Sequence, residues 1–326
     1  MRSDKIMYIL GFDIGGTKCA VVTALWDGNQ IKLLKKEKCA TDHSISPREM
    51  INNLIELADS ILEKSPDFIG VSCGGPLDSE KGIILNPPNL PKWINVNIVS
   101  QINQHYKVPV QLQNDANACA VAEWMFGNGK GYKNVIFLTF GTGLGAGLIL
   151  NGKLYNGTNG NAGEIGHIRL DSSGPVGFGK EGSFEGFCSG GGIAQLGYLK
   201  ALEAMEKGVC PSYFKDGMKL QDVTAKSIAE AAMSGDKTAL DTYKTSGKYL
   251  GKGLSIIIDI LNPDAIIIGS IFTRNKNLLW DATKMEIEKE ALQPSVDCCK
   301  ILPSMLGENI GDYAAVATAL LGVDIV

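Results

Sequence analysis

The stretch Gln111–Met125, QLQNDANACAVAEWM, decides how this chain folds. The apolar run Tyr106–Leu112 predicts a strand, and Ala116–Met125 has the composition of a helix, so Asn114-Asp115 lies at a strand-to-helix junction. Either of these two side chains can cap the helix by accepting backbone N–H bonds, which is the structural interpretation. A carboxylate at this position can also accept a proton from a bound hydroxyl, which makes Asp115 a candidate general base. The glycine-rich turns elsewhere in the chain decide between the two interpretations.

Length and composition predict a cytoplasmic, globular protein of two domains. The chain has 326 residues, an apolar fraction of 44% and a charged fraction of 20%. Its net charge of −4 argues against a nucleic-acid partner. The N-terminal MRSDKIMYILGFDIGG has no signal-peptide run, and no segment approaches the roughly 20 apolar residues that a membrane span needs. Eight scattered cysteines without a C-x-x-C pair predict reduced, mostly buried thiols.

Two glycine-threonine turns have the same layout, with an apolar run on each side. The first is Asp13–Lys18 within GFDIGGTKCAVV, and the second is Gly141–Gly145 within LTFGTGLGAGLI. Either an internal repeat or the frequency of strand–glycine–strand segments explains the match. Each turn alone is typical of a tight hairpin, but glycine also lets backbone N–H groups approach a phosphate. The two turns together, with Asp115 between them in sequence, favour phosphate binding, with Asp13 suited to a hydrated Mg²⁺.

The common nucleotide-binding motifs are absent. Gly11–Lys18 has the glycines of a P-loop but its Thr and Lys in the wrong order. Gly147–Leu154 and Gly174–Glu181 lack the Ser or Thr that would reach Mg²⁺. Gly141–Gly147 does not follow the G-x-G-x-x-G pattern and lies between two strands, which excludes the Rossmann fingerprint.

The rest of the chain alternates between strands and helices, which predicts an α/β fold. Further strands are predicted at Ile31–Lys38, Phe68–Cys73, Ala265–Ile268 and Lys300–Pro303. Helices are predicted at Met50–Leu62, Val96–Tyr106, Gly192–Lys207, Thr224–Met233, Leu240–Leu261, Leu278–Ala291 and Asp312–Leu321, the last capped by Asp312. Glu123 and Trp124 are interpreted as helix-face and packing residues.

Five motifs, DIGGTK, NDANACAVAEW, GTGLGAGLI, AGEIGH and LNPDAIIIG, occur in an order and spacing that resemble the ROK (repressor, open reading frame, kinase) family of sugar kinases. The resemblance extends from about Tyr8 to Ala319. It implies an actin-like, hexokinase-type (ribonuclease H-like) fold in which two α/β domains flank a central cleft. The implied domains are 1–118, completed by the C-terminal helix at 305–326, and 119–304. It also implies a homodimer.

The resemblance assigns roles to individual residues. Asp115 matches the catalytic base. The sugar-binding positions fall on Asn114, Asp115, Glu164, His167 and Glu185, with Gly74, Gly75 and Asn89 lining the same pocket. The positions that bind ATP fall on Asp13, Gly15, Gly16, Thr17, Lys18, Gly141, Thr142, Gly143, Gly190, Gly191 and Gly269, although Lys18 can also be interpreted as a solvated side chain. Asp13 is the one residue assigned to Mg²⁺, through water.

The chain departs from the family at its zinc motif. After the AGEIGH histidine, the family usually has C-x-C-G-x-x-G-C-x-E, whose three cysteines and histidine bind a structural zinc. Here the cysteines are replaced by Val176, Phe178 and Ser183, and His167 alone cannot form a tetrahedral N/S site. The sequence therefore predicts no zinc, with Val176 and Phe178 in apolar packing instead.

The resemblance implies an ATP- and Mg²⁺-dependent kinase that phosphorylates a hexose hydroxyl, with the 6-OH of glucose as the first choice. N-acetylglucosamine, N-acetylmannosamine, fructose and mannose are alternative substrates. The loops Asn86–Trp93 and Tyr155–Asn161 are expected to set the choice. A sugar-responsive transcriptional regulator is the alternative from another class. Because the first glycine turn begins at Asp13, a preceding helix-turn-helix domain is not expected.

Overall fold

The computed structural model describes residues 6–323, which form a mixed α/β protein. Its strands are β1 Met7–Ile14, β2 Lys18–Trp26, β3 Ile31–Ala40, β4 Phe68–Cys73, β5 Leu77–Asp78, β6 Ile83–Ile84, β7 Val96–Asn97, β8 Val110–Asn114, β9 Val135–Phe140, β10 Leu144–Leu150, β11 Lys153–Leu154, β12 Val176–Gly177, β13 Lys180–Glu181, β14 Ala265–Ile268 and β15 Lys300–Pro303. Its helices are α1 Pro47–Ile61, α2 Ile98–Tyr106, α3 Asp115–Phe126, α4 Phe184–Phe187, α5 Gly190–Glu206, α6 Ala225–Met233, α7 Lys237–Leu261, α8 Ile271–Glu290, α9 Gln293–Cys298 and α10 Ile310–Leu320.

The described residues divide into two compact units. The first contains the residues up to Tyr132, Gly147–Ala162 and the residues from Met305 onward, and the second contains Lys133–Ala146 and Gly163–Ser304. The domain boundaries at 118/119 and 304/305 stay a prediction, and residues 1–5 and 324–326 of that assignment lie outside the described part of the chain. None of the described helices combines the length and the apolar character needed to cross a membrane.

The first unit is built on a five-stranded sheet in the order β3-β2-β1-β4-β8. The strands β1 and β2 form an antiparallel hairpin, while β1, β4 and β8 run parallel. Ile14 pairs with Cys73, and Cys73 pairs with Asn114, so the three parallel strands end side by side. Ligands of open α/β sheets bind beyond the carboxyl ends of such strands. The register therefore places Gly15, Gly74 and Asp115 next to one another at a favourable edge.

Helix α10 packs directly on this sheet because small residues face one another. A Cβ placed on Gly70 of β4 would lie 2.0 Å from the carbonyl oxygen of Ala315 and 2.4 Å from the nitrogen of Ala319. A Cβ on Gly11 of β1 would lie 2.9 Å from that of Ala315. Only glycine permits this approach, so Gly11 and Gly70 set the depth at which the helix lies.

The second unit combines parallel strands with a layer of helices. Strand β14 pairs in parallel with β9 and with β15. Helices α7 and α8 approach closely at glycines, since a Cβ on Gly247 would lie 2.5 Å from the oxygen of Leu279 and one on Gly251 would lie 2.6 Å from the oxygen of Thr283. The Thr283 hydroxyl donates to the Gly247 oxygen at 2.9 Å.

The predicted fold class and most elements are confirmed, but several bounds are wrong. The central strand is Val110–Asn114 rather than Tyr106–Leu112, because α2 continues to Tyr106 and Pro109 has no N–H to donate to a sheet. Helix α8 begins at Ile271, seven residues before the predicted Leu278, and has non-helical dihedral angles at Asn275.

Two acidic residues have environments that differ from their predicted ones. Asp312 does not cap α10, which begins at Ile310; it is buried and forms an ion pair with Lys36. Glu123, interpreted as a helix-face residue, is fully buried. Its carboxylate accepts the N–H of Asn128 at 3.0 Å and that of Leu306 at 2.9 Å, which offsets the cost of burying a charge.

The cysteines are free, as predicted, but they are not mostly buried. Cys19, Cys73 and Cys188 are buried, three others are half-buried, and Cys210 and Cys298 are exposed. Burial raises the pKa of the Cys19 thiol, which keeps it protonated and unreactive. The three buried cysteines thus behave as small packing residues.

Candidate functional site

The strand-to-helix junction after β8 separates the cap from the candidate base. The Asn114 Oδ1 accepts the N–H of Ala116 at 3.0 Å and that of Asn117 at 3.5 Å, so Asn114 is the cap of α3. Asp115 is the first residue of the helix and is exposed, and its Oδ1 also accepts the Ala116 N–H, at 2.8 Å. Its carboxylate lies at the positive end of the helix dipole. Asn114 is therefore the N-cap, and Asp115 shares one of its N–H groups through a single carboxylate oxygen.

The glycine pair after β4 lies beside this junction. A Cβ on Gly74 would lie 4.0 Å from Asp115 Oδ2, and a Cβ on Gly75 would lie 3.0 Å from Asn114 Nδ2. Both glycines are half-buried. The first unit thus brings together four of the predicted sugar-binding residues, because β4 and β8 end in register.

The first glycine turn is held in place by its neighbours and leaves polar groups exposed. The Gly15 N–H donates to the Lys18 oxygen at 3.1 Å, and the Thr41 hydroxyl donates to the Gly15 oxygen at 2.6 Å. A Cβ on Gly16 would lie 2.6 Å from that of Asn89, which places the exposed Asn89 against the turn. Thr17 and Lys18 are exposed.

Asp13 lies in a negative environment within the first unit. Burial, followed by the neighbouring carboxylates of Asp312 and Asp115, raises the pKa of Asp13 to about 6, against the opposing effect of Lys36 and Lys18. A divalent cation would relieve this repulsion, and Mg²⁺ is commonly held by one or two carboxylates, substrate phosphates and water. The described residues contain no set of three or more His, Cys, Asp or Glu side chains that could hold a metal by themselves. The residues present therefore fit a hydrated Mg²⁺ carried with phosphate.

The second glycine turn, between β9 and β10, contacts Glu185 and the start of α5. The Leu144 N–H donates to Glu185 Oε2 at 2.9 Å, and a Cβ on Gly143 would lie 2.8 Å from the same oxygen. The Gly190 N–H donates to the Gly141 oxygen at 2.8 Å. Glu185 and the second turn are thus parts of one packed cluster in the second unit.

A cavity of about 760 Å³ opens in the second unit beside this turn. A volume in this range accommodates a nucleotide-sized ligand. Four predicted ATP-binding residues line it, namely Gly141, Thr142, Gly190 and Gly191. The predicted Gly269 is buried and directly precedes the lining residue Ser270. The other lining residues are Ala194, Val223, Thr224, Ala225, Lys226, Ala229, Glu230, Met233, Ile271, Arg274 and Asn275. The N-terminus of α5 lies at this wall, so the positive end of its helix dipole favours an anion there.

The sequence prediction missed one wall of this cavity. Helix α6 and its N-cap Thr224 supply six of the lining residues, in a segment that the sequence indicated only as a helix, and α8 supplies Arg274. The Arg274 Nη2 donates to Ser270 Oγ at 3.1 Å, and Ser270 has a positive φ of 53° that side chains rarely adopt. No local pattern marks these residues, because they come together only through tertiary packing.

The AGEIGH segment forms a 3-10 helix, Ile165–His167, preceded by Glu164. Glu164 and His167 are both exposed side chains. The Lys180 Nζ donates to the His167 oxygen at 2.6 Å, and the His167 ring contacts the Phe178 ring edge-on, with 5.1 Å between the centroids. The second unit thus contains three of the predicted sugar-binding residues, Glu164, His167 and Glu185.

The predicted apolar packing of the segment that replaces the zinc motif is wrong. Val176 is 46% exposed and Phe178 is 71% exposed, because the short β12–β13 hairpin carries them outward. Ser183 is the one buried member of the replaced set. Its hydroxyl accepts the Gly186 N–H at 3.0 Å and caps α4. The zinc-free character of the loop stays a prediction.

Comparison with known proteins identifies the family. A sequence profile of the ROK family matches residues 9–320. A glucokinase of Halalkalibacterium halodurans is 30% identical over 314 residues, covering 93% of this chain and 92% of that protein. A xylose repressor of Bacillus spizizenii is 30% identical over 312 residues, covering 94% of this chain and 75% of the repressor.

Solved structures agree with this similarity. A ROK family glucokinase from Streptomyces griseus, in complex with glucose and AMPPNP, is 28% identical, has a TM-score of 0.77 and covers 97% of this chain and 100% of its own. The predicted actin-like, hexokinase-type fold class is thereby confirmed. With the profile match over nearly its whole described length, the chain belongs to the ROK family.

Proposed function

We propose that this protein is a glucokinase-like enzyme that transfers the γ-phosphoryl group of ATP to the 6-OH of glucose, with Asp115 as the general base. By class it is an ATP-dependent sugar kinase, in keeping with its similarity to glucokinases over almost their full length. The observation that carries the proposal is the exposed position of the Asp115 carboxylate at the N-terminus of α3, where Asn114 is the N-cap. Gly74, Gly75 and the first glycine turn end the neighbouring strands.

The chemistry proposed for Asp115 is proton acceptance. Its carboxylate would take the proton of the sugar hydroxyl as the oxygen attacks the γ-phosphorus in line. The backbone N–H groups of Gly16 and Gly143, together with the hydroxyls of Thr17 and Thr142, would stabilise the phosphate oxygens. Gly15 and Gly141 would shape the two turns, since their own N–H groups donate to Lys18 and Gly143 within the turns. Mg²⁺, held by Asp13 through water, would supply further neutralisation of that charge.

The sugar would be oriented by hydrogen bonds from polar side chains. Asn89, Asn114, Glu164, His167 and Glu185 provide the donors and acceptors, while Gly74 and Gly75 leave space for the ring. A site of such polar groups rejects a sugar that lacks a matching hydroxyl. The nucleoside would occupy the cavity at Gly190, Gly191 and Ser270 in the second unit.

Other hexoses and N-acetylhexosamines are the alternative substrates. The loop Tyr155–Asn161 is fastened to the catalytic helix, since the Asn117 Nδ2 donates to the Asn156 Oδ1 at 3.0 Å. This loop and the loop Asn86–Trp93 would contact the substituent at the sugar C2 and so select the substrate.

A sugar-responsive regulator is the second candidate function, favoured by the similarity to a xylose repressor. We further propose a cytoplasmic homodimer that acts without zinc, a nucleic-acid partner or a membrane partner; sedimentation of the purified protein tests the dimer.

The test is a coupled ADP-release assay with ATP, Mg²⁺ and a panel of hexoses and N-acetylhexosamines. We expect glucose to give the highest kcat/KM, and Asp115→Asn to lower kcat by at least about 10³-fold while glucose binding stays measurable by calorimetry. Asp27→Asn, at an exposed surface position, is the matched control and should leave kcat unchanged. Turnover retained in Asp115→Asn would refute the assignment of the base. Binding without turnover across the panel would favour the regulator.

A further inference from the structure

The hairpin Val176–Glu181 carries an exposed aromatic side chain in a strained backbone conformation at its tip. It consists of β12 and β13 joined by the two-residue turn Phe178-Gly179. Both turn residues have positive φ angles, 44° for Phe178 and 74° for Gly179, which is the geometry that favours Asn-Gly at the tip of a hairpin. A phenylalanine in this backbone conformation is strained, and 71% of its surface is exposed to solvent. Neither fold stability nor solubility explains its presence.

The contacts of Phe178 indicate what it does. Its ring meets the His167 ring edge-on at 88°, with 5.1 Å between the centroids, and no other ring contact involves it among the described residues. Lys180, on the next strand of the hairpin, donates to the His167 backbone oxygen at 2.6 Å. The Arg169 Nη1 donates to the Glu181 oxygen at the same distance. The hairpin thus holds both the ring and the backbone of the His167 segment.

The base of the hairpin packs against the helix that carries Glu185. A Cβ on Gly177 would lie 2.5 Å from the Gly186 nitrogen and 2.8 Å from both Glu185 Cβ and Ser183 Oγ. The hairpin therefore connects two candidate sugar-binding residues, His167 at its tip and Glu185 at its base. A side chain that is held by packing loses less entropy when it binds a ligand.

We propose that the Val176–Glu181 hairpin is a positioning element for sugar binding, in which the exposed ring of Phe178 orients the imidazole of His167. This inference rests on the proposed sugar-kinase function. Phe178 is a positioning residue and touches no reacting atom. The edge-on contact fixes the plane of the imidazole, so that one ring nitrogen faces the sugar hydroxyl that it bonds.

Two variants at the same position separate orientation from folding. Phe178→Asn removes the ring and supplies a residue that tolerates positive φ, so the protein should be as stable as the wild type or more so. Phe178→Tyr keeps the ring and the strain. We expect Phe178→Asn to raise the KM for the sugar roughly 10-fold with the KM for ATP unchanged, and Phe178→Tyr to stay within about 2-fold of the wild type. An unchanged sugar KM in Phe178→Asn would overturn the proposal.

A double-mutant cycle and a measurement without substrate complete the test. In a His167→Gln background, Phe178→Asn should have no additional effect on the sugar KM, whereas an equal effect in both backgrounds would contradict action through His167. The chain has three histidines, so the His167 imidazole signals can be assigned by NMR from His167→Gln. These signals should shift in Phe178→Asn and stay in place in Phe178→Tyr, and unchanged signals in both would also refute the proposal. Absence of turnover in the wild type would disprove the proposed function while leaving this NMR test intact.

Discussion

At the scale of single residues, adjacent side chains of similar chemistry have different tasks. Asn114 satisfies the first N–H groups of α3, and Asp115, one residue later, keeps its carboxylate exposed. The sequence alone left open which of them caps the helix, because Asn and Asp are almost equally good caps. The answer depends on which residue has extended backbone angles, and Asn114 has φ −60° and ψ 144°. That information belongs to the tertiary structure.

The raised pKa of Asp13 predicts a pH dependence of stability. Its folded pKa of about 6 exceeds the ordinary value of 3.8, so the folded state binds a proton more tightly than the unfolded state. The contribution of Asp13 therefore favours folding below about pH 4 and is lost as the pH rises through about 6. We expect the unfolding free energy of Asp13→Asn to exceed that of the wild type by about 3 kcal/mol at pH 8 and to converge with it near pH 4.

Urea unfolding between pH 4 and pH 8 measures this difference. Asp27→Asn is the control, because hydrogen bonds from the N–H groups of Gln30 and Asn29 lower the pKa of Asp27. Because a lowered pKa changes stability only below about pH 4, the curve of that variant should run nearly parallel to that of the wild type across this range. Parallel curves for the wild type and Asp13→Asn would contradict the raised pKa.

At the scale of elements, predictions were confirmed where a periodic pattern was long. The helix predicted at Leu240–Leu261 appears as Lys237–Leu261, because its apolar face is repeated over many turns. The start of α8 was missed because Ser270–Lys276 has no apolar periodicity and is shaped by the cavity that it lines. The wall contributed by α6 was also missed, since a helix can be predicted from its own residues but its neighbours cannot. The candidate residues at the glycine turns were accessible from sequence because close packing leaves no room for a Cβ at Gly15, Gly16 and Gly143.

The packing of α10 on β4 predicts a large cost for one added methyl group. Gly70→Ala would bring a Cβ within 2.0 Å of the Ala315 oxygen, so the helix must move outward. We expect the unfolding free energy to fall by about 3 kcal/mol. Gly131→Ala is the control, because a Cβ there meets no atom within 4 Å. Only its positive φ of 89° should lower the unfolding free energy, by about 1 kcal/mol. Denaturant unfolding of the two variants compares them, and equal losses would show that α10 adjusts freely.

At the scale of the whole molecule, the loss of the zinc-binding cysteines predicts independence from zinc. Ser183 caps α4, and the Val176–Glu181 hairpin is fastened by hydrogen bonds from Arg169 and Lys180, so the loop has supports other than a metal. We expect less than about 0.1 zinc per chain by elemental analysis, and a Tm unchanged by a chelator. Stoichiometric zinc, or a Tm lowered by the chelator and restored by zinc rather than Mg²⁺, would contradict this prediction.

The position of α10 also determines when the first unit can finish folding during synthesis. Its sheet begins with β1, but the helix that covers that sheet lies roughly 300 residues later in the chain. The ribosome therefore produces Gly163–Ser304, most of the second unit, while the face of β1 and β4 still awaits its partner. During that interval the exposed strands are open to capture by chaperones. An early stop codon before Ile310 would thus leave a chain with an uncovered sheet, a substrate for quality-control proteases.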